Sequence, residues 1–166
     1  MGCLDCCVAL VSGGGTGIGR GIAEAFVEEG ARVAIVGRRR KVLEATADEI
    51  AGPWPRGGDG SVLAVAGDVS NKLEVKAAVA RTVATFGSLS ILVNNAGVAV
   101  PGALEEVAVE DVDAMIDSDL KGPILLTQAA LRELKKAARE SGDASILNIS
   151  SSVTLHALAN YSVYSA

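Results

Sequence analysis

Seven residues constrain this chain most. Gly13-Gly14-Gly15-Thr16-Gly17-Ile18-Gly19 follows an apolar run, Cys7–Val11, and opens an amphipathic stretch. From Ile18 to Glu29, apolar Ile22, Ala23, Phe26 and Val27 recur at helical spacing against Arg20, Glu24, Glu28 and Glu29. The order predicts a strand, a tight turn and a helix. Glycines let the backbone turn sharply and approach a ligand, and the helix start supplies free N–H groups with partial positive charge. The spacing is G-x-x-x-G-x-G, and in this setting Gly13, Gly15, Thr16, Gly17, Ile18 and Gly19 point to nucleotide phosphate binding.

The alternation continues along the chain. Arg32–Val36, Ser61–Ala66, Ser90–Val93 and Ala144–Ile149 read as further strands. Helices are expected over Lys41–Ala51, from a cap at Asn71 to about Phe86, and over a long stretch from about Glu110 to Arg139. Gly30 is a suitable stop for the first helix. Gly52–Gly60, rich in proline and glycine and carrying Trp54, reads as a surface loop. The strands are continuous apolar runs, as expected when helices cover both faces of a sheet. The fold class is therefore α/β, a Rossmann-type doubly wound parallel sheet in one domain spanning residues 1–166.

Composition narrows the function classes. The net charge is -5, against a broad nucleic-acid-binding face. The three cysteines, Cys3, Cys6 and Cys7, have no partner downstream, so a disulfide framework is excluded and a reducing cytoplasmic setting is simplest. No apolar run reaches membrane-spanning length. Met1-Gly2-Cys3 is close to a lipidated start, but Cys6 stands where serine or threonine is required. Cys3-Leu4-Asp5-Cys6 lacks the second pair that a zinc site needs, and no metal cluster is visible.

A dinucleotide fold often carries an acid at the end of its second strand, to hold ribose hydroxyls. Here the run is Val36-Gly37-Arg38-Arg39-Arg40-Lys41, with no carboxylate. Arg38 offers a guanidinium fork suited to a 2′-phosphate, which favours NADP and leaves NAD possible. Arg39, Arg40 and Lys41 read as a solvated charge run opening a helix.

Further blocks follow in order: Gly67-Asp68-Val69, Asn94-Asn95-Ala96-Gly97, Asn148-Ile149-Ser150-Ser151, and a tyrosine at 161 or 164. With the glycine turn, they resemble the short-chain dehydrogenase/reductase family across essentially the whole chain. The resemblance implies that Asp68 and Val69 lie beside the adenine and that Asn95, Ala96 and Gly97 line the cofactor ribose. It also implies that Ser151 and Tyr164 are catalytic. The family's tyrosine opens Y-x-x-x-K and follows its serine by 13 residues; Tyr164 meets that spacing from Ser151, whereas Tyr161 has Ser165 at the lysine position.

The implied chemistry is hydride transfer between a nicotinamide and a small alcohol or carbonyl substrate. Tyr164 would exchange the proton of the substrate oxygen, and Ser151 would hydrogen-bond to it. The family's helix asparagine, thought to hold a water in a proton relay, is replaced by Asp119 in Asp119-Leu120-Lys121-Gly122-Pro123. Pro123, which lacks an N–H, predicts an irregularity there. The motif's lysine would fall at position 168, beyond Ala166, so the chain is expected to be a truncated family domain. The alternative is a nucleotide-binding remnant or interaction subunit without catalysis. A homo-oligomer through the long helix is also implied.

Overall fold

The computed structural model describes residues 2–51, 60–156 and 158–166. Trp54 and nearly all of the loop containing it lie outside the described residues. Five strands form one sheet: β1 (Val8–Ser12), β2 (Arg32–Gly37), β3 (Val62–Ala66), β4 (Ile91–Asn94) and β5 (Ser145–Asn148). Their order is β3-β2-β1-β4-β5, and every pairing is parallel. Leu10 stands opposite Ala34 on one side and Leu92 on the other. This is the Rossmann-type arrangement. Chain order reverses across β1, so the carboxyl ends of β1 and β4 frame the crevice where such sheets bind ligands.

The helices are α1 (Gly17–Glu28), α2 (Arg40–Ile50), α3 (Lys72–Phe86), α4 (Val109–Met115), α5 (Gly122–Ser141) and the short α6 (Ser162–Ser165). Side chains alternate across each strand, so β1 supplies two cores. Val8 and Leu10 pack with Val75, Val79 and Phe86 of α3 and Leu126, Ala130 and Leu134 of α5. Ala9 and Val11 pack with Ala23 and Val27 of α1 and Leu43, Ala47 and Ile50 of α2. All five residues of β1 are buried. Fully burying one leucine or valine contributes about 1.5–3 kcal/mol, so this strand is the energetic centre of the sheet.

Local signals end several elements. Asn71 caps α3, its side chain accepting from the Leu73 and Glu74 amides. Gly87 and Gly142 close α3 and α5 in the left-handed conformation.

The long helix differs from expectation. It extends to Ser141, and between α4 and α5 it widens into a π-helical segment, Ile116–Lys121. There the Gly122 N–H reaches the Asp117 carbonyl, five residues back. Pro123 follows at once, and its missing N–H favours a break in the ordinary ladder. Strand β5 is the edge strand next to β4, and all four of its residues are exposed.

Candidate active site

The carboxyl end of the sheet opens into a cleft with two adjoining parts. Ile18 and the segment Asn95-Ala96-Gly97-Val98 line both.

The first part, about 480 Å³, lies over β1, β2 and β3. Its lining includes Gly13, Gly15, Thr16, Ile18, Arg38, Asp68, Val69, Asn95, Ala96 and Gly97. Two of the expected residues do not line it: Gly17 opens α1, and Gly19 packs beneath the turn. Gly13 has φ +67°, and a Cβ there would lie 2.8 Å from the Asn95 amide nitrogen and 3.0 Å from the Ala96 backbone. A Cβ on Gly19 would collide with the same amide and with the Gly13 carbonyl. These two glycines let the turn sit directly on the loop after β4.

Asn95 and Ser12 fix that contact. The Asn95 side-chain amide donates to the Ser12 carbonyl at 2.9 Å. The buried Ser12 hydroxyl donates to the Val93 carbonyl at 3.2 Å and accepts from the Asn95 and Ala96 amides at 3.0 and 3.1 Å. One hydroxyl thus ties β1 to the end of β4. The sequence signal for this role is a serine ending a buried apolar strand.

Arg38 and Asp68 face this part from β2 and β3. Partial burial opposes the charge on Asp68. Hydrogen bonds from the Ser70 N–H and hydroxyl, with the Arg38 charge, outweigh it and hold the carboxyl below its ordinary range. Arg39, expected to be solvated, also lines the cleft and donates to the Thr16 hydroxyl at 3.3 Å. Arg40 does read as surface charge, 3.7 Å from Glu44.

The second part, about 830 Å³, lies between α5 and the segment after β5. Ser151, Tyr164 and Asp119 all line it. Ser151 caps a single turn, accepting from the Val153 amide at 3.4 Å. Tyr164 lies in α6, its ring edge-on to Tyr161 with centroids 6.2 Å apart. The Gly102 amide donates to the Asn160 carbonyl at 2.8 Å, which joins the loop after β4 to the chain entering α6. His156 is exposed and does not line the cleft.

Asp119 projects from the π-helical segment, and its Oδ1 accepts from the Val98 amide at 2.8 Å. Its Oδ2 is buried with no hydrogen-bond partner. Burial raises the carboxyl above its ordinary range, outweighing the Val98 N–H, which pulls it down. Nearby, the Asn94 amide donates to Asn148 Oδ1 at 2.8 Å and to Thr127 Oγ1 at 3.2 Å. Asn94 and Thr127 had not been singled out for roles of their own. Their meeting depends on α5 crossing the ends of β4 and β5, which spacing along the chain does not reveal.

A profile of the short chain dehydrogenase family matches residues 7–166. The chain belongs to that family. It is 34% identical over 159 residues to an uncharacterized oxidoreductase of Staphylococcus aureus, covering 96% of this chain and 64% of that protein. It is 37% identical over 164 residues to D-threitol dehydrogenase of Mycolicibacterium smegmatis, covering 98% and 59% respectively. Among solved structures, 3-ketoacyl-(acyl-carrier-protein) reductase from Brucella melitensis complexed with NADH aligns with a TM-score of 0.89 at 35% identity. That alignment covers 98% of this chain and 64% of the reductase. The chain therefore spans about three-fifths of the length of these relatives.

The first part of the cleft suits the dinucleotide this family implies. The start of α1, the Arg38 and Arg39 guanidinium groups and the Thr16 hydroxyl supply donors for phosphates. Among the described residues, no group of three histidine, cysteine or acidic side chains could hold a metal ion. No described helix is long and apolar enough to cross a membrane.

Proposed function

We propose that this chain contributes the nucleotide-binding and catalytic face of an NADP-dependent oxidoreductase acting on a small alcohol or carbonyl compound. The continuity of the two-part cleft carries the reading. Phosphate-binding groups stand at one end, Ser151 and Tyr164 at the other, and Asn95–Val98 runs beneath both. Arg38 and Arg39, with no acid at the end of β2, support NADP(H) over NAD(H).

Arg38, Arg39, Thr16 and the strip Asn95–Val98 would hold a nicotinamide dinucleotide, which would supply or take up the hydride. The chain's own residues handle the oxygen. The Tyr164 hydroxyl exchanges a proton with the substrate oxygen. Ser151 hydrogen-bonds that oxygen and orients it. Tyrosine ordinarily titrates near 10, so positive charge beside the phenol is needed to make it an effective acid–base group near neutrality. Asp119 fixes the Val98 amide and so shapes the strip shared by cofactor and substrate.

Exposed Ile116 and Leu131 on the long helix support assembly with a second copy. The unpaired cysteines support a cytosolic setting. The test is titration of the purified full-length chain with NADPH and NADH, followed by turnover on a panel of alcohols, ketones and aldehydes. Tighter binding of NADPH, with oxidation or reduction of at least one substrate, is expected. Failure to bind either dinucleotide would overturn the reading.

A further inference from the structure

Two buried helical threonines use their hydroxyls differently. In α3, Thr82 donates to the Ala78 carbonyl one turn back, at 2.9 Å. That local bond is open to any helical threonine. Thr46 of α2, only 3% exposed, donates instead to the Gly15 carbonyl at 2.9 Å. Its partner is 31 residues away, in the middle of the glycine-rich turn.

This bond sets a peptide plane. No described peptide is cis, so the Gly15 carbonyl and the Thr16 N–H point in opposite directions. With the carbonyl held by α2, the Thr16 N–H points away from Thr46. Thr16 lines the cleft beside Arg38 and Arg39. Arg39, the residue that caps the same helix, donates to the Thr16 hydroxyl. The Ser12 carbonyl, at the end of β1 just before the turn, is likewise held by the Asn95 side chain.

We propose that Thr46 is a positioning residue for the nucleotide. By holding the Gly15 carbonyl, it aims the Thr16 N–H at a phosphate of the bound dinucleotide. Without that hydroxyl the plane is free to rotate and turn carbonyl density towards an anion. The inference rests on the nucleotide reading of the cleft.

The test compares wild type, Thr46→Val and Thr46→Ser in the full-length chain, with NADPH and adenosine as probes. Valine keeps the shape and removes the hydroxyl. Its Kd for NADPH should rise about tenfold, the scale of one net hydrogen bond. Its adenosine Kd should stay at the wild-type value, because adenosine carries no phosphate, and Thr46→Ser should restore NADPH binding. Should Thr46→Val not fold, Thr46→Ala carries the same comparison. Unchanged NADPH binding in the variant, or equal losses for NADPH and adenosine, overturns the role of Thr46 while the nucleotide reading stands. A wild-type chain that binds no dinucleotide overturns both.

Discussion

Replacing Asp119 with asparagine should stabilise the fold at neutral pH. One carboxylate oxygen receives the Val98 amide at 2.8 Å, whereas the other is buried without a donor. Asparagine keeps an oxygen for Val98 and removes the charge that burial disfavours. Stranding a charged oxygen costs more than stranding a neutral amide, and the carboxyl retains partial solvent contact, so the gain at pH 7 is about 1 kcal/mol. For a chain of this length that raises Tm by roughly 2–4 °C. The sign with pH follows from the direction of the shift. Burial raises the folded carboxyl above its unfolded value, so the protonated form favours the fold. Its contribution is complete below the unfolded pKa of about 3.9 and is lost as pH rises through the folded value. Melting curves of wild type and Asp119→Asn between pH 4 and 8 should therefore diverge as pH increases. A less stable variant at pH 7, or a gap constant with pH, would refute the reasoning.

Tyr164→Phe should lower kcat by roughly 10²–10⁴-fold while leaving the NADPH Kd near wild type, checked by steady-state kinetics and fluorescence titration. Arg38→Gln should weaken NADPH binding by about 10–100-fold and leave NADH within twofold, because only the 2′-phosphate loses a charged partner. Ser12→Ala should destabilise the chain by roughly 2 kcal/mol in urea melts, since it strands the Asn95 and Ala96 amides together.

Much of this organisation is legible locally. The step from β1 through the glycine turn to α1 follows from neighbouring residues, as does the Asn71 cap. Gly13, Arg38, Asp68 and Asn95 could be placed in chain order because each follows the end of a strand, whereas Asp119 and Tyr164 lie in the π-helical segment and in α6. What escapes such reading depends on non-local geometry. The π-helical segment is set by a bond from Gly122 to Asp117, and Pro123 gives only a hint of it. Arg39 looks like one member of a charge run until the fold sets it against Thr16.

The strip Asn95–Val98 borders both parts of the cleft and is held by Ser12 behind it and Asp119 above it. On the proposed function, that arrangement would couple nucleotide and substrate mechanically. A shift of a few tenths of an ångström in this strip would displace both parts of the cleft together. Substrate specificity should therefore be easier to alter from the far walls, α5 and the segment around Thr154, than from the strip. Kinetic variants should divide accordingly: far-wall changes are expected to move one Michaelis constant, and changes in the strip to move both.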